Sequence, residues 1–210
     1  MALRAVILDY GLVLSGPQEP HARAELMRIT GLEPELFDKL YWADRPAFDV
    51  GELSGIEYWR KIAAESGMEP APEMVEELNY WDGRMWTTEN RPMIDWQAAL
   101  KGHGLKTAIL SNMGDTILAS LERDFEWLNR FDVLIWSFQH GVGKPDERIF
   151  RLTLDKLGVE AGESLFVDDR PRNVEAARKL GIRTFQYKTT EQLRGDLVAQ
   201  GLDGELPLPR

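Results

Sequence analysis

Three apolar runs, far apart in the chain, each end abruptly in a polar residue. Val6-Ile7-Leu8 leads into Asp9, Ala108-Ile109-Leu110 into Ser111, and Leu165-Phe166-Val167 into Asp168. A short continuous apolar run is the pattern of a strand buried on both faces, as in a parallel sheet. Ligands of open α/β sheets bind outside the carboxyl ends of the strands. The three polar residues are therefore expected to meet at one edge of one sheet. A fourth segment, Gly143-Lys144-Pro145, adds an ammonium in a loop braced by glycine and proline.

The pattern between these points supports an α/β class. After Pro92, helical and strand-like segments alternate: a helix over Ile94–Lys101, a strand over Lys106–Leu110, a helix over Asp115–Leu128, and a strand over Val133–Trp136. They continue with a helix over Asp146–Leu157, a strand over Ser164–Val167, a helix over Asn173–Leu180, and a strand over Arg183–Tyr187. Such alternation predicts a parallel sheet with helices on its faces. The first strand is Ala5–Leu8, followed by a loop from Gly11 to Pro17. Between the first strand and Arg91 no strand is evident. Helices are predicted from about His21 to Gly31 and over Glu35–Trp42, Glu57–Ser66 and Pro72–Tyr80, with turns at Arg45-Pro46, Gly51, Gly55, Gly67 and Pro70. This gives a core of residues 1–15 and 91–210 carrying an all-helical insertion of residues 16–90. Gly201–Arg210 contains two prolines and little pattern, and a poorly ordered tail is expected there.

The chain of 210 residues carries 25 basic and 35 acidic side chains, a formal net charge of -10. That balance argues against a nucleic-acid binder, which would show a basic face. It is compatible with an anionic ligand, because a bound divalent cation reverses the local potential. There is no cysteine, so thiol catalysis, thiolate metal sites and disulfides are excluded. No stretch has the uninterrupted apolar length of a membrane span, and no secretory leader precedes Asp9. A soluble cytoplasmic protein, with no membrane or nucleic-acid partner, is the expectation.

Each polar segment has an ordinary reading as well as a chemical one. Asp9 at a strand mouth can attack phosphorus or cap a loop. Ser111-Asn112 can hold a phosphoryl oxygen through a hydroxyl and backbone N–H groups, or form a plain turn. Lys144 can neutralise a carboxylate and a phosphate, or sit in solvent. Asp168-Asp169 is harder to read as ordinary. Adjacent, partly buried carboxylates raise each other's pKa unless a cation intervenes, and Mg²⁺ takes one or two carboxylates together with phosphate oxygens. His21, His103 and His140 have no metal-ligand spacing.

Taken together and in this order, the segments resemble the haloacid dehalogenase-like hydrolases, in the branch with a helical cap after the first strand. Val50-Gly51-Glu52-Leu53-Ser54-Gly55-Ile56-Glu57-Tyr58-Trp59 and Val167-Asp168-Asp169-Arg170-Pro171-Arg172-Asn173-Val174-Glu175-Ala176-Ala177 are similar to the subgroup of sugar-phosphate phosphatases and the amino-terminal phosphatase domain of soluble epoxide hydrolases. The resemblance implies a Rossmann-like core and a Mg²⁺-dependent phosphatase of a small phosphorylated metabolite, either a monomer or a homodimer. It implies Asp9 as nucleophile, Ser111, Asn112 and Lys144 as catalytic, and metal held by Asp9, the Gly11 backbone carbonyl, Asp168 and Asp169. One position departs from the family pattern. The second Asp, two residues after the nucleophile, is here Gly11. General acid–base help of ~10²–10⁴ in rate is therefore missing from that position. Two alternatives follow from the gap: a 2-haloacid dehalogenase, and a weakly active or non-catalytic binding protein on the same fold.

Overall fold

A computed structural model describes residues 2–210; Met1, the first residue of the expected core, lies outside the described residues. Five parallel strands form one sheet in the order β3-β2-β1-β4-β5: β1 Ala5–Leu8, β2 Lys106–Ser111, β3 Val133–Trp136, β4 Ser164–Asp168 and β5 Arg183–Gln186. The α/β class and the parallel, Rossmann-like sheet are as the sequence predicts. β1 is central and its four residues are all buried, which explains why it reads as an unbroken apolar run. Its side chains alternate between two cores. Val6 and Leu8 join one cluster, and Ala5 and Ile7 join the other, where Phe150 and Phe166 pack edge to face.

Five helices lie between β1 and the rest of the sheet: α1 Pro20–Thr30, α2 Pro34–Ala43, α3 Arg45–Asp49, α4 Gly55–Glu65 and α5 Pro72–Met85. Proline in the first turn starts α1, α2, α3 and α5, where its missing N–H costs nothing. α4 begins instead with a reciprocal cap: Ser54 Oγ accepts from the Glu57 N–H, and the Ser54 N–H donates to Glu57. The remaining helices are α6 Arg91–Gly102, α7 Asp115–Asp124, α8 Glu147–Leu157, α9 Pro171–Lys179 and α10 Thr190–Ala199.

Four local expectations are corrected. Arg45-Pro46 opens a short helix rather than a turn. The helical pattern through Asp115–Leu128 breaks at Phe125, where φ -127 and ψ 91 are extended, and a 3₁₀ turn covers Glu126–Arg130. The loop after Asp9 is a tight turn over Tyr10–Leu14, closed by the Ser15 N–H on the Tyr10 carbonyl. Its unusual residue is Leu12, at φ 58, whereas Gly11 has an ordinary φ of -61. Last, the terminal segment is packed rather than loose. Leu202 and Leu206 are buried, and Trp96 Nε1 donates to the Pro207 carbonyl at 2.6 Å.

One hydrophobic cluster runs from the sheet into the inserted helices, containing Leu8 and Ile109 as well as Phe37, Trp59 and Leu78. Further contacts tie the two together. Ser137, just after β3, donates to the Asp49 carbonyl and accepts from the Met113 N–H at 3.0 Å. Asp115 accepts from the Gly55 N–H at 3.2 Å.

Candidate active site

The register of the sheet puts the ends of three adjacent strands side by side. Leu8 pairs with Ile109 and with Val167, so Asp9, Ser111 and Asp168 follow at the same carboxyl edge. The Asp9 N–H extends the ladder by donating to the Val167 carbonyl at 3.0 Å. All three residues are buried, Asp9 to 6% exposure.

Lys144 reaches this edge from the loop before α8 and is itself buried. Its ammonium is 2.8 Å from Asp9 Oδ1 and 2.7 Å from Asp168 Oδ2. The loop is held by Asn112. Asn112 Oδ1 accepts from the Lys144 N–H, and Asn112 Nδ2 donates to the Lys144 carbonyl, both at 2.8 Å. Gly143 permits that approach, since a Cβ there would lie 2.8 Å from Asn112 Oδ1. Asn112 thus positions the lysine through its side chain, a role its place after a strand does not disclose.

The three carboxylates differ in their partners. Asp9 Oδ1 also accepts from the Tyr10 N–H at 2.7 Å, while Oδ2 has no hydrogen bond among the described residues. Asp168 is saturated: Oδ1 accepts from the Arg170 N–H at 2.8 Å, and Asn173 Nδ2 donates to both oxygens at 3.0 Å. Asp169 is only partly buried. A ligand oxygen from each of Asp9, Asp168 and Asp169 lies within 4.8 Å of the others, a spacing that fits one cation.

The electrostatics reflect three carboxylates around one ammonium. Burial pushes the Asp9 carboxyl up to about 7, helped by Asp168 and Asp169 and opposed by Lys144. Burial also raises Asp169, as does the charge of Asp168. Asp168 is the exception to the expected mutual raising of the pair. Burial works against its charge, but Lys144, the Arg170 N–H and Asn173 overcome it and hold its pKa below the usual value. Lys144 is raised, because Asp168 and Asp9 outweigh its burial. With Asp9 ionised the group is left with an excess of negative charge, a deficit that a divalent cation corrects.

These residues line a cavity of about 570 Å³. Asp9, Gly11, Ser111, Asn112, Lys144 and Asp169 all border it, and Asp168 stands behind Lys144. The far wall comes from the inserted helices, through Arg23, Trp42, Arg45, Asp49 and Trp86. Arg45 is nearly enclosed, ion-paired to Asp49 at 2.9 Å and to Asp82 at 3.4 Å, with the Tyr41 ring centroid 4.9 Å away. Trp42 and Trp86 are among the tryptophans of the inserted block, one or two of which the sequence allows in a pocket, whereas Asn173 and the polar wall residues escape sequence reasoning for different reasons. Asn173 lies within the Val167–Ala177 stretch, where no local pattern marks it as the residue that donates to both Asp168 oxygens. The wall residues depend on how the insertion docks, which no local pattern records.

A family model for haloacid dehalogenase-like hydrolases matches residues 55–181. The chain belongs to this family. Among similar proteins, the hydrolase is 29% identical over 206 residues to phosphatase MT3486 of Mycobacterium tuberculosis, covering 94% of this chain and 93% of that one. It is 32% identical over 209 residues to bifunctional epoxide hydrolase 2 of Sus scrofa, covering 91% of this chain, but it spans only 37% of that protein's length. Among solved structures it is similar to a family enzyme of Bacteroides thetaiotaomicron, bt-2542, in complex with magnesium and inorganic phosphate. The TM-score is 0.75 at 18% identity, covering 89% of this chain and 94% of the other, and the likeness is one of fold. No helix among the described residues of the hydrolase is long and apolar enough to cross a membrane.

Proposed function

We propose that this hydrolase is a Mg²⁺-dependent phosphoric monoester hydrolase for a small phosphorylated metabolite, with residues 16–90 serving as a cap over a core of residues 1–15 and 91–210. The observation that carries the reading is the buried Lys144 ammonium bridging Asp9 and Asp168, with Asp169 close enough to complete a cation site. A relative named as a phosphatase over nearly its whole length, and a structural neighbour holding magnesium and phosphate, point the same way.

In this reading Asp9 Oδ2 attacks phosphorus, the bond from phosphorus to the ester oxygen breaks, and that oxygen leaves with the electron pair and is protonated by water, while Oδ1 stays held by Tyr10 and Lys144. Lys144 offsets charge on the carboxylate and the transferring group. Ser111 and the Asn112 backbone orient phosphoryl oxygens, and the Asn112 side chain keeps Lys144 in reach. Mg²⁺, when bound by Asp9, Asp169 and the Gly11 carbonyl with Asp168 assisting, would neutralise charge on the phosphoryl oxygens. Because Asp168 is saturated by Lys144, Asn173 and Arg170, Asp169 is the better direct ligand. Water then cleaves the aspartyl-phosphate, regenerating the carboxylate and releasing inorganic phosphate. The cap wall excludes bulk water from this step.

The decisive test is phosphate release by the pure protein with Mg²⁺. Asp9→Asn is expected to abolish it while leaving the thermal unfolding transition in place. Activity that persists in the pure variant removes Asp9 as nucleophile. Gly11 favours one other reading, displacement of halide from a 2-haloacid, whereas the three-carboxylate cluster opposes it. Chloride release without Mg²⁺ would decide for that reading.

A further inference from the structure

We propose that the substrate is an aryl phosphate, a monoester whose leaving group is a flat phenolic ring. This rests on the phosphatase reading above and specifies its substrate class. Two independent features of the cavity converge on it.

The first is the lack of a proton donor for the leaving oxygen. Gly11 supplies none, and no histidine borders the cavity among the described residues. Its carboxyls are Asp9 and Asp169, both in the charge cluster, and Asp49 on the opposite wall, which burial raises but whose Oδ1 is held by Arg45 at 2.9 Å. With no acid at the Gly11 position beside the nucleophile, a leaving group that departs readily as an anion is favoured. Phenols ionise at about pH 10, whereas an aliphatic alcohol, like water, is a far weaker acid. Phenolate departs unaided far more readily than alkoxide.

The second is the wall that the organic part of a substrate would meet. It is built by Tyr10, Leu12, Pro17, Pro20, Trp42 and Trp86. Trp42 is 42% exposed although large and apolar, and Leu12 is 45% exposed. Leu12 is held at φ 58, a left-handed backbone that leucine rarely adopts, with its N–H on Ser15 Oγ at 2.9 Å. Two of the charged side chains of this wall are already engaged, Arg23 with Asp38 at 2.6 Å and Arg45 with Asp49, while Gln18 and Arg170 border the cavity at its polar margin. A sugar placed against Leu12, Pro17, Pro20 and Trp42 would turn hydroxyls on that side toward rings and prolines and leave them unpaired. Trp42 and Trp86 stand perpendicular, at 85° with centroids 6.5 Å apart, so a flat ring can stack on one indole and meet the other at its edge. The cavity, about 570 Å³, is much larger than a phosphoryl group alone requires.

The step balances without another reactant. Asp9 Oδ2 forms the bond to phosphorus, the phosphorus–oxygen bond to the ring breaks, and its electron pair leaves on phenolate, which takes a proton from water. A second water attacks phosphorus, breaks its bond to Asp9 Oδ2 and gives inorganic phosphate, and the proton it sheds neutralises the hydroxide left by the first.

The test compares phenyl phosphate, ring-substituted phenyl phosphates, ethyl phosphate and acetyl phosphate with Mg²⁺. Acetyl phosphate has a good leaving group and no ring. We expect kcat/KM for phenyl phosphate to exceed that for ethyl phosphate by ~100-fold or more, the lower end of what a missing general acid costs, and to rise with the acidity of the phenol. Trp42→Ala is expected to lower the phenyl-to-acetyl ratio of kcat/KM about fivefold, the scale of one lost aromatic contact; Leu12→Gly is a second probe of the same wall. Ethyl phosphate turned over as fast as phenyl phosphate, or a ratio unmoved in both variants, overturns the inference and leaves the phosphatase reading standing. No phosphate released from any of the four, acetyl phosphate included, overturns both.

Discussion

At the scale of the residue, Gly11 stands where the family resemblance leads one to expect a second Asp. Its backbone sits at φ -61 and ψ 125, open to any L residue, and an added Cβ would meet nothing nearer than Trp86 Cζ3 at 3.9 Å. Neither strain nor crowding therefore requires glycine. Gly11→Asp should fold normally and add a carboxyl beside the nucleophile. Its expected effect is a rise in turnover of alkyl phosphates, by up to the ~10²–10⁴ that general acid–base help supplies, with a smaller gain on esters of acidic alcohols. Rates measured across a leaving-group series check this. A parallel shift for every ester would mean that the new carboxylate does something other than donate a proton. Leu12 is the converse case. A leucine occupies the left-handed region at a cost of about 1–2 kcal/mol, so the strain belongs to the residue that faces the cavity and not to the neighbouring glycine.

At the scale of the element, helices α4 and α5 lock onto α7 through glycines. A Cβ on Gly83 would collide with Ser120 Oγ and come within 2.7 Å of Ser120 Cβ and 3.2 Å of the Thr116 carbonyl. Gly83→Ala would gain about 0.5–1 kcal/mol of helix propensity. Overpacking costs about 1–3 kcal/mol and wins here, because a Cβ and a backbone oxygen cannot turn aside as a hydroxyl can. A net loss of about 1–2 kcal/mol corresponds to a fall in Tm of about 2–8 °C, readable by calorimetry; an unchanged or higher Tm would show that α5 and α7 are free to slide apart. Legibility in the sequence also divides by element. Buried strands read well, because enclosure on both faces forces an apolar run: β1 and β3 match their expected bounds, and β2 and β4 run one residue further, into Ser111 and Asp168. The four segments of the site were legible for the same reason, since each hangs on a strand end or a braced loop. Elements whose order comes from distant partners were not. α3 is set by the docking of Phe48 against Gly114, and α10 has a weak amphipathic pattern of its own, burying Leu193 and Leu197. The terminal segment is anchored by Trp96, more than a hundred residues upstream.

At the scale of the whole molecule, sheet and insertion share a hydrophobic cluster, and the charge of the site bears on the stability of both. The Asp9 carboxyl is raised to about 7 from an ordinary value of 3.8. A group raised on folding stabilises the folded state when protonated, and this contribution is lost as pH rises through the folded value. The metal-free protein is therefore expected to show a Tm that falls between pH 5 and 8, with the raised carboxyls of Asp49 and Asp82 acting in the same direction. Mg²⁺ reverses the sign for Asp9, because a cation binds the ionised carboxylate and stabilises the folded state by mass action. The rise in Tm on adding Mg²⁺ should be larger at pH 8 than at pH 5 and should disappear on chelation. Scanning calorimetry at the two pH values checks both parts, and an equal rise at both would detach cation binding from the ionisation of Asp9.

Two of the seven tryptophans, Trp42 and Trp86, border the cavity, while Trp59 and Trp96 are sealed in the interior. The protein thus carries its own optical gauge of occupancy. A guest that dries the half-open indole of Trp42 moves its emission toward the blue, against a constant background from the sealed rings, and can be followed in real time without attaching a dye.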